Sequence, residues 1–495
     1  MRILLVIGIV GRMLRLFSLA FLAPFILAVV QGDWWDVVYF AGSGVATVMF
    51  GYLFALVFNL HALDKVSLYR AEALGVVAFT WVALALFGAM PYIFSGLSFV
   101  DALFESMSGF TTTGATILAD FNHTDSFFLW RSMTQWFGGL GVIALFVIIL
   151  PRLGIAGRQL FFAEASGAPG EAVSPSFRSA SSRLWILYTG LTLLLIVLLA
   201  FAGMPVFDSV CNGLTTLSAG GFSPSATSIY GYQLPAAEWI LSAFMLISGT
   251  SFPLLYLTFT RRPTALFRDT EFRFYAFFAI GGGLAIAAVL LAYTDWNGAD
   301  VTVEHALRAG IFQATSVISS TGFASENYDL WVPSGKVLII GLMIIGGCAG
   351  SAAGGPKAIR HLLVGRHVMR ELMRTLHPRA IIAIRYKGKS VSDSVMNSIF
   401  LLVVLYIGSY FFFGLVLTLM GEDLVTAFSA SIAAVGNVGP AFGEAGPMGS
   451  FAGFSDPAKL VMTVGMWIGR LEIVTVLALL HWHVWRNLRL RKIRA

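Results

Sequence analysis

Four short segments combine glycine with threonine, serine or asparagine in a way that could hold a cation with backbone oxygen atoms. Glycine allows carbonyl groups to point in directions that a Cβ atom would hinder. Four such turns around one axis would form a ring of carbonyl groups. Such a ring can replace the hydration shell of a K⁺ ion. The segments are TTTGAT, LSAGGFSP, ISSTGF and GNVGPAFG, and Gly114, Gly221, Gly322 and Gly439 recur in them at separations of 107, 101 and 117 residues.

Each turn follows a short, weakly polar segment that we predict to be helical. The C-terminal end of a helix carries partial negative charge, which favours a cation near the turn. One turn alone would equally suit an ordinary outer or re-entrant loop, where glycine and threonine serve only the turn geometry. The four copies in register favour the cation site.

The sequence contains no cluster of residues that is typical of a catalytic site. The eight histidines are spread over different loops and helix ends, and no HExxH motif or paired carboxylates occur. The two cysteines, Cys211 and Cys348, suggest neither a metal site nor a disulfide framework. We therefore predict a protein that is not an enzyme and uses no cofactor.

The composition places these turns in a membrane. Hydrophobic residues make up 57% of the 495 residues and charged residues only 12%, whereas soluble domains carry about 25% charged residues. This excludes a water-soluble globule, a disordered chain and a nucleic-acid-binding protein. Ten stretches are long enough to cross a bilayer, namely 16–32, 37–63, 73–100, 132–151, 184–207, 239–260, 274–294, 337–356, 394–421 and 460–485.

Charge fixes the predicted orientation of these spans. With both termini in the cytoplasm, the inner segments hold 27 lysines and arginines against 8 acids, and the outer segments hold 4 against 17. This is the distribution of the positive-inside rule, and an acidic outer face concentrates cations.

The turns belong to an internal repeat of helix, half-helix, glycine turn and helix. An even number of spans separates successive units, so all four have the same orientation and suggest pseudo-fourfold symmetry. We predict an all-α polytopic membrane fold. Its parts are two N-terminal helices in 1–63 and four units in 70–152, 182–262, 272–363 and 393–486.

Two further features lie inside predicted spans. The stretch 346–355 (GGCAGSAAGG) is too rich in glycine for a stable helix, although close helix packing through small residues would also explain it. Arg470 and Glu472 are the ionisable residues that we place deep in a span. They are two residues apart and face different directions, so each is expected to need its own partner.

With WRSMTQWFGGLGVI (130–143), GGCAGSAAGGPKAIR (346–360) and GRLEIVTVL (469–477), the four turns resemble the Trk/Ktr/HKT superfamily of potassium transporters. The resemblance covers essentially the whole chain and is strongest to the bacterial Trk-H type membrane subunit. It implies K⁺ uptake across the bacterial inner membrane by a homodimer. The ion-binding filter would comprise Thr112, Thr113, Gly114, Ala219, Gly220, Gly221, Thr321, Gly322, Asn437, Val438 and Gly439.

Within this resemblance, two points stay open. Either Gly220 or Gly221 could be the second filter glycine. Some relatives carry serine at the first filter glycine and admit Na⁺, so Gly114 favours K⁺. The alternative function is a Na⁺-permeable or Na⁺/H⁺-coupled cation transporter of the same architecture.

The resemblance also implies a gate. The 346–355 stretch would form an intramembrane loop that obstructs the pore and moves on activation, and Arg470 would form a positive barrier below the filter. The glycines of the 346–355 stretch are Gly346, Gly347, Gly350, Gly354 and Gly355. The basic segment 357–389 would dock a cytosolic nucleotide-binding regulatory ring of the RCK type. The alternative for this segment is membrane topology and contact with anionic lipids.

Overall fold

The structure, a computed structural model, describes residues 2–56, 69–144, 176–293, 301–380, 382–482 and 485. These residues are overwhelmingly α-helical. Their strands form one short antiparallel hairpin, β1 (Arg385–Tyr386) with β2 (Lys389–Ser390). The predicted all-α fold is confirmed.

The helices are named in chain order. They are α1 (Ile3–Phe17), α2 (Leu22–Gln31), α3 (Trp34–Leu56), α4 (Arg70–Gly88), α5 (Met90–Phe94), α6 (Phe99–Phe110), α7 (Asp125–Ala144), α8 (Ser176–Phe201), α9 (Val206–Leu217), α10 (Pro235–Ser248), α11 (Phe252–Thr260), α12 (Ala265–Arg268), α13 (Thr270–Ala292), α14 (Val303–Ile318), α15 (Pro333–Ile345), α16 (Ala358–Leu376), α17 (Asp393–Leu419), α18 (Leu424–Gly436), α19 (Asp456–Arg470) and α20 (Ile473–Leu480).

By length and apolar composition, six helical segments of the described chain can cross a membrane, or up to eight if two bent pairs each count as one span. The six are Ile3–Gln31, Trp34–Phe54, Ala71–Phe94, Ser182–Phe201, Thr270–Ala292 and Asp393–Leu419. Of the ten predicted spans, six correspond to these single helical segments and two to the bent pairs. The span predicted at 132–151 continues beyond the described residues after 144, and the span at 337–356 is a 13-residue helix followed by non-helical chain.

The broken helices have local causes. Helices α10 and α11 meet at 104°, where Gly249 ends one helix and a proline lies in the first turn of the next. Helices α19 and α20 meet at 109°, and Glu472 adopts a positive φ of 63° between them. Hydropathy alone does not reveal such bends because each pair, taken together, is long and apolar enough for one span. The predicted unit limits at residues 63, 152 and 486 lie outside the described residues, as do residues 57–68 and 145–175.

Four short helices, α6, α9, α14 and α18, each lie between other helices of the same predicted unit. They contain 12, 12, 16 and 13 residues. At about 1.5 Å per residue, none reaches across a hydrocarbon core of about 30 Å. Each therefore enters the fold and ends inside it, at one of the glycine turns.

The N-terminal helices pack against the first unit. Phe21 stacks on Trp130 with ring centroids 4.5 Å apart, and Trp130 Nε1 donates to Gly88 O at 3.1 Å. Helix α1 also contacts α4. These contacts attach the N-terminal part of the chain to the first predicted unit. The sequence predicts two helices in 1–63, and the described part of this range contains three, α1, α2 and α3.

Candidate functional site

The four short helices end in the same backbone conformation. In each case the residue two positions before the recurring glycine has a left-handed φ of 51° to 56°, and the glycine itself has a positive φ of 80° to 107°. The loop triads, as we call them, are Thr112-Thr113-Gly114, Ala219-Gly220-Gly221, Ser320-Thr321-Gly322 and Asn437-Val438-Gly439. The first residue of each triad is left-handed although it is not glycine, which costs about 1–2 kcal/mol per residue.

A Schellman motif produces this conformation in all four units. The first two backbone N–H groups of each triad donate to carbonyls in the last turn of the preceding helix. The bonds are Thr112→Gly109 and Thr113→Ser108 at 2.9 and 2.8 Å, Ala219→Thr216 and Gly220→Thr215 at 3.0 and 2.9 Å, Ser320→Val317 and Thr321→Ser316 at 3.0 and 2.8 Å, and Asn437→Ala434 and Val438→Ala433 at 3.2 and 2.9 Å. The motif ends each helix sharply and leads the chain into the loop.

The four loops form a closed ring. The space where a Cβ atom would stand at each glycine is taken by the carbonyl oxygen of the middle residue in the next triad. The pairs are Gly114 with Gly220 O, Gly221 with Thr321 O, Gly322 with Val438 O, and Gly439 with Thr113 O, the last at 2.6 Å from the ideal Cβ position. The units therefore follow one another around the ring in chain order. We call this arrangement the carbonyl ring.

The ring distinguishes Gly221 from Gly220, which the sequence analysis could not do. It also includes Ser320, which the sequence analysis omitted. Gly221 has the conformation and contact of Gly114, whereas Gly220 occupies the position of Thr113. Ser320 has the left-handed φ of Thr112 and belongs to the third triad. Its place in the sequence, two residues before Gly322, was the available signal.

A cavity of about 300 Å³ opens on one side of the ring. It is lined by Gly114, Gly221, Gly322 and Pro440 and by the chain that follows the triads, which leads to the predicted outer face. An ion in this cavity would meet the ring directly.

A buried ion pair lies next to the ring, and its arginine, Arg131, also lines the cavity. Arg131 Nε donates to Glu105 Oε1 at 2.7 Å, and the two side chains are 2% and 0% exposed. The guanidinium also donates to Ser223 O at 3.1 Å and lies 4.0 Å from the centre of the Phe222 ring. Glu105 also accepts from Ile117 N at 3.0 Å. The pair thus joins the chain segments that follow the first two triads.

The sequence did not single out this pair. We counted Arg131 as an outer basic residue and took Arg470 and Glu472 as the deep ionisable residues. The available signal was an arginine and a glutamate close to the same glycine turn. This correction adds a buried charged site next to the ring.

The four basic residues predicted on the outer face all form ion pairs. The pairs are Arg131 with Glu105, Arg308 with Glu238 and Glu304, Lys336 with Asp329, and Lys459 with Asp101. These carboxylates balance the outer basic charge locally. Most of the acidic residues predicted for this face lie outside these pairs, and they determine the electrostatic field of the face.

Arg470 lies on the other side of the ring from the cavity. Its side chain is 6% exposed, and it donates to Ala352 O at 3.0 Å and to Gly138 O at 3.3 Å. No carboxylate pairs with it in the described part of the chain, and its Nε has no hydrogen-bond partner there. Glu472 has a separate partner, since Arg360 Nη2 donates to its Oε1 at 2.6 Å.

The glycine-rich stretch 346–355 is not helical. Positive φ angles of 75°, 75° and 76° occur at Gly346, Gly350 and Gly355. The stretch folds under the ring: Gly354 N donates to Ser320 Oγ, and a Cβ on Gly354 would overlap Asn437. We call residues 346–355 the intramembrane loop.

The intramembrane loop is fixed from three directions. Cys348 N donates to Gly249 O at 2.8 Å, and Ala349 N donates to the buried Glu271 at 2.6 Å. The third anchor is the bond from Arg470 to Ala352 O. Two of these bonds place the loop against the breaks that follow α10 and α19.

The carbonyl ring lies at the C-terminal ends of four short helices inside a polytopic all-α fold. This arrangement defines the class of membrane proteins that move cations through pore loops. The TrkH family model, described as "Cation transport protein", matches residues 44–483. The chain therefore belongs to the TrkH family of cation transport proteins. The family is one of transport proteins, which confirms that the protein is not an enzyme.

Relatives and a solved structure agree with this assignment. The Trk system potassium uptake protein TrkH of Halomonas elongata is 34% identical over 98% of this chain and 100% of the relative. The Trk system potassium uptake protein TrkG of Escherichia coli K12 is 32% identical over 96% and 97%. The crystal structure of the potassium transporter TrkH from Vibrio parahaemolyticus superposes with a TM-score of 0.88, at 33% identity, over 98% of this chain and 100% of that one.

Proposed function

We propose that the protein takes up K⁺ across the bacterial inner membrane and that the carbonyl ring is its selectivity filter. The observation that carries the proposal is the closure of the ring, in which each glycine packs against the carbonyl of the next unit. A ring of this kind can exchange the hydration shell of K⁺ for protein oxygens. The names of the relatives, potassium uptake proteins, support K⁺ as the ion.

The driving force needs no further site. Moving one positive charge inward along a membrane potential releases about 2.3 kcal/mol per 100 mV. The acidic residues of the outer face raise the local cation concentration. We also propose that both termini lie in the cytoplasm, because that orientation places most basic residues inside.

Growth rescue tests the proposal. The wild-type chain is expected to restore growth of a bacterium deficient in potassium uptake at low external K⁺, whereas Gly221→Val is not, because its side chain would overlap Thr321 O. Gly281→Val is the control, since no atom lies within 4 Å of its Cβ position. Absence of rescue by well-expressed wild type, or equal rescue by Gly221→Val, would contradict the filter. Na⁺ uptake at a rate equal to that of K⁺ would support the Na⁺-permeable alternative.

We further propose that the intramembrane loop and Arg470 close the pore below the filter. The loop contacts the ring residues Ser320 and Asn437 on the side opposite the cavity. Arg470 adds a positive charge there and ties the loop to α7 through Gly138 O. A cation that has passed the ring would therefore meet both the loop and a repelling charge.

Arg470→Ala is expected to raise K⁺ flux per folded molecule, because it removes the charge and releases the bond to Ala352 O. Arg470→Lys keeps the charge and is expected to keep flux low. The measurement is ⁸⁶Rb⁺ uptake into proteoliposomes, normalised to folded protein from gel filtration. A loss of folded Arg470→Ala protein with unchanged flux per molecule would show a structural role instead.

The loop itself is testable through Cys348, which is 1% exposed. In a Cys211→Ala background, a thiol reagent applied from the cytoplasmic side is expected to modify Cys348 faster when the transporter is activated. A deletion within 346–355 is expected to raise flux, keep selectivity and weaken dependence on the regulator. Equally slow labelling in both states, with a deletion that only prevents folding, would favour close packing.

Regulation is proposed to come from a cytosolic nucleotide-binding ring of the RCK type that docks on 357–389 of a homodimer. The term "Trk system" in the relatives' names supports a multi-component assembly. Helix α16 begins directly after the intramembrane loop, so a partner pulling on it could move the loop. Several basic residues of this segment have internal partners, including Arg360 with Glu472, Arg370 with Asp393 and Lys387 with Asp269. These ion pairs attach the segment 357–389 to the rest of the fold.

A further inference from the structure

The middle residues of the four triads, whose carbonyls close the ring, are not held in the same way. Thr113 is held by a hydroxyl contact with Thr111, with 2.7 Å between the Oγ1 atoms. Thr321 is held likewise by Ser319 at 2.8 Å. These two units lie opposite each other, because the units follow chain order around the ring. The middle residues of the other two triads, Gly220 and Val438, have no hydroxyl.

Gln135 of α7 supplies the missing support at Gly220. Its Nε2 donates to Gly220 O at 2.7 Å, and its Oε1 accepts from Phe222 N at 3.0 Å. One carboxamide therefore holds the chain on both sides of Gly221. Gln135 is 0% exposed, so water does not compete for either bond.

The residue at 220 and the residue at 135 fit each other. A Cβ at Gly220 would overlap the carboxamide of Gln135, with its Nε2 only 2.9 Å away. Two adjacent glycines also have the largest backbone freedom of any pair. The second triad thus needs an external support, and the absence of a side chain at 220 makes room for it.

The fourth unit uses another amide. Asn437 Nδ2 donates to Thr113 Oγ1 and to Met466 O, each at 3.0 Å. This amide therefore joins the fourth triad to Thr113 of the first triad and to α19. Among the residues that the structure describes, Gln135 is the one side chain from a neighbouring unit that bonds directly to a ring carbonyl.

We propose that Gln135 is a positioning residue for ion selectivity, which orients the Gly220 carbonyl through its two-point contact with the second loop. The proposal rests on the carbonyl ring being the K⁺ filter. Discrimination between K⁺ and Na⁺ depends on the number and field of the ring oxygens. Loss of the contact at one unit of four should therefore change selectivity before it abolishes permeation.

The test compares Gln135→Met and Gln135→Glu with Ser132→Ala in reconstituted protein. Methionine keeps the length of the side chain without its bonds, and glutamate places an acceptor against Gly220 O. Ser132 lies on the same helix and donates to its own helix at Phe128 O. We expect both Gln135 variants to lower the K⁺/Na⁺ permeability ratio about tenfold, equivalent to about 1.4 kcal/mol, and Ser132→Ala to leave it unchanged.

A second pair of variants tests the fit itself. Gly220→Ala is expected to lower folded protein and selectivity because of its overlap with Gln135. Adding Gln135→Ala should restore folded protein toward the level of Gln135→Ala alone. A wild-type permeability ratio in folded Gln135→Met, or no restoration in the double variant, would overturn the proposal. Failure of both Gln135 variants to fold where Ser132→Ala folds would also overturn it, in favour of a structural role.

The wild-type protein separates this proposal from the proposed function. If it shows no preference for K⁺, the filter assignment itself fails, whatever the Gln135 variants do. If wild type is K⁺-selective and Gln135→Met keeps that selectivity, only the role of Gln135 fails.

Discussion

Gly114→Ser is expected to reduce K⁺/Na⁺ selectivity about tenfold or more, equivalent to at least about 1.4 kcal/mol of preferential K⁺ binding. Gly114 has a φ of 82°, which side chains with a Cβ rarely adopt. The added Cβ would also overlap Gly220 O of the next unit. The serine can therefore be accommodated only if the carbonyl ring shifts at this point. The ring oxygens would then no longer be equivalent.

The measurement is the reversal potential of reconstituted protein with K⁺ on one side and Na⁺ on the other. Gly190→Ser is the matched control, because this glycine lies in helix α8 and no atom stands within 4 Å of its Cβ position. It is expected to leave selectivity unchanged. An unchanged permeability ratio in Gly114→Ser protein with normal flux would remove Gly114 from the filter.

Glu105→Ala is expected to cost about 3–5 kcal/mol of stability, because it leaves the buried Arg131 without its carboxylate. Arg131 is 2% exposed and cannot turn to water without disturbing Phe222 and Ser223 O. We therefore expect little folded Glu105→Ala protein, and loss of selectivity in whatever remains. Thermal stability in detergent, followed by gel filtration, measures the change.

An exposed pair provides the comparison. Glu304 pairs with Arg308 but is 57% exposed, so Glu304→Ala is expected to cost less than about 1 kcal/mol. The double variant Glu105→Leu with Arg131→Met should be more stable than Glu105→Ala, since it leaves no unpaired buried charge. Equal melting temperatures for Glu105→Ala and Glu304→Ala would show that the buried pair does not stabilise the ring.

Some properties of the site could be predicted from the sequence because they depend on neighbouring residues. Turn chemistry is local, so the glycine turns and the short helices before them follow from composition and spacing. The triads at Gly114, Gly322 and Gly439 lie where the pattern predicts them. The roles of these residues in selectivity and gating stay predictions until the variants are measured.

The bends within apolar spans were not predictable in the same way. At 249–251 and at 471–472 the chain turns by about a right angle, although hydropathy continues across both breaks. The intramembrane loop packs against both breaks through Gly249 O and Arg470, and such contacts between distant segments are not visible along the chain. A continuous apolar stretch therefore does not reveal whether it forms one straight helix or a bent pair.

The sequence by itself determined an all-α membrane chain with four parallel units, because hydropathy, charge bias and the recurring glycine turn are read along the chain. Only the tertiary structure decided which atoms meet. It separated Gly221 from Gly220, added Ser320 to the ring, and brought Glu105 to Arg131 and Gln135 to Gly220. These partners are 26 and 85 residues apart, and no local rule relates residues at such distances. They meet because the four units close around one axis, and that closure is a property of the folded chain.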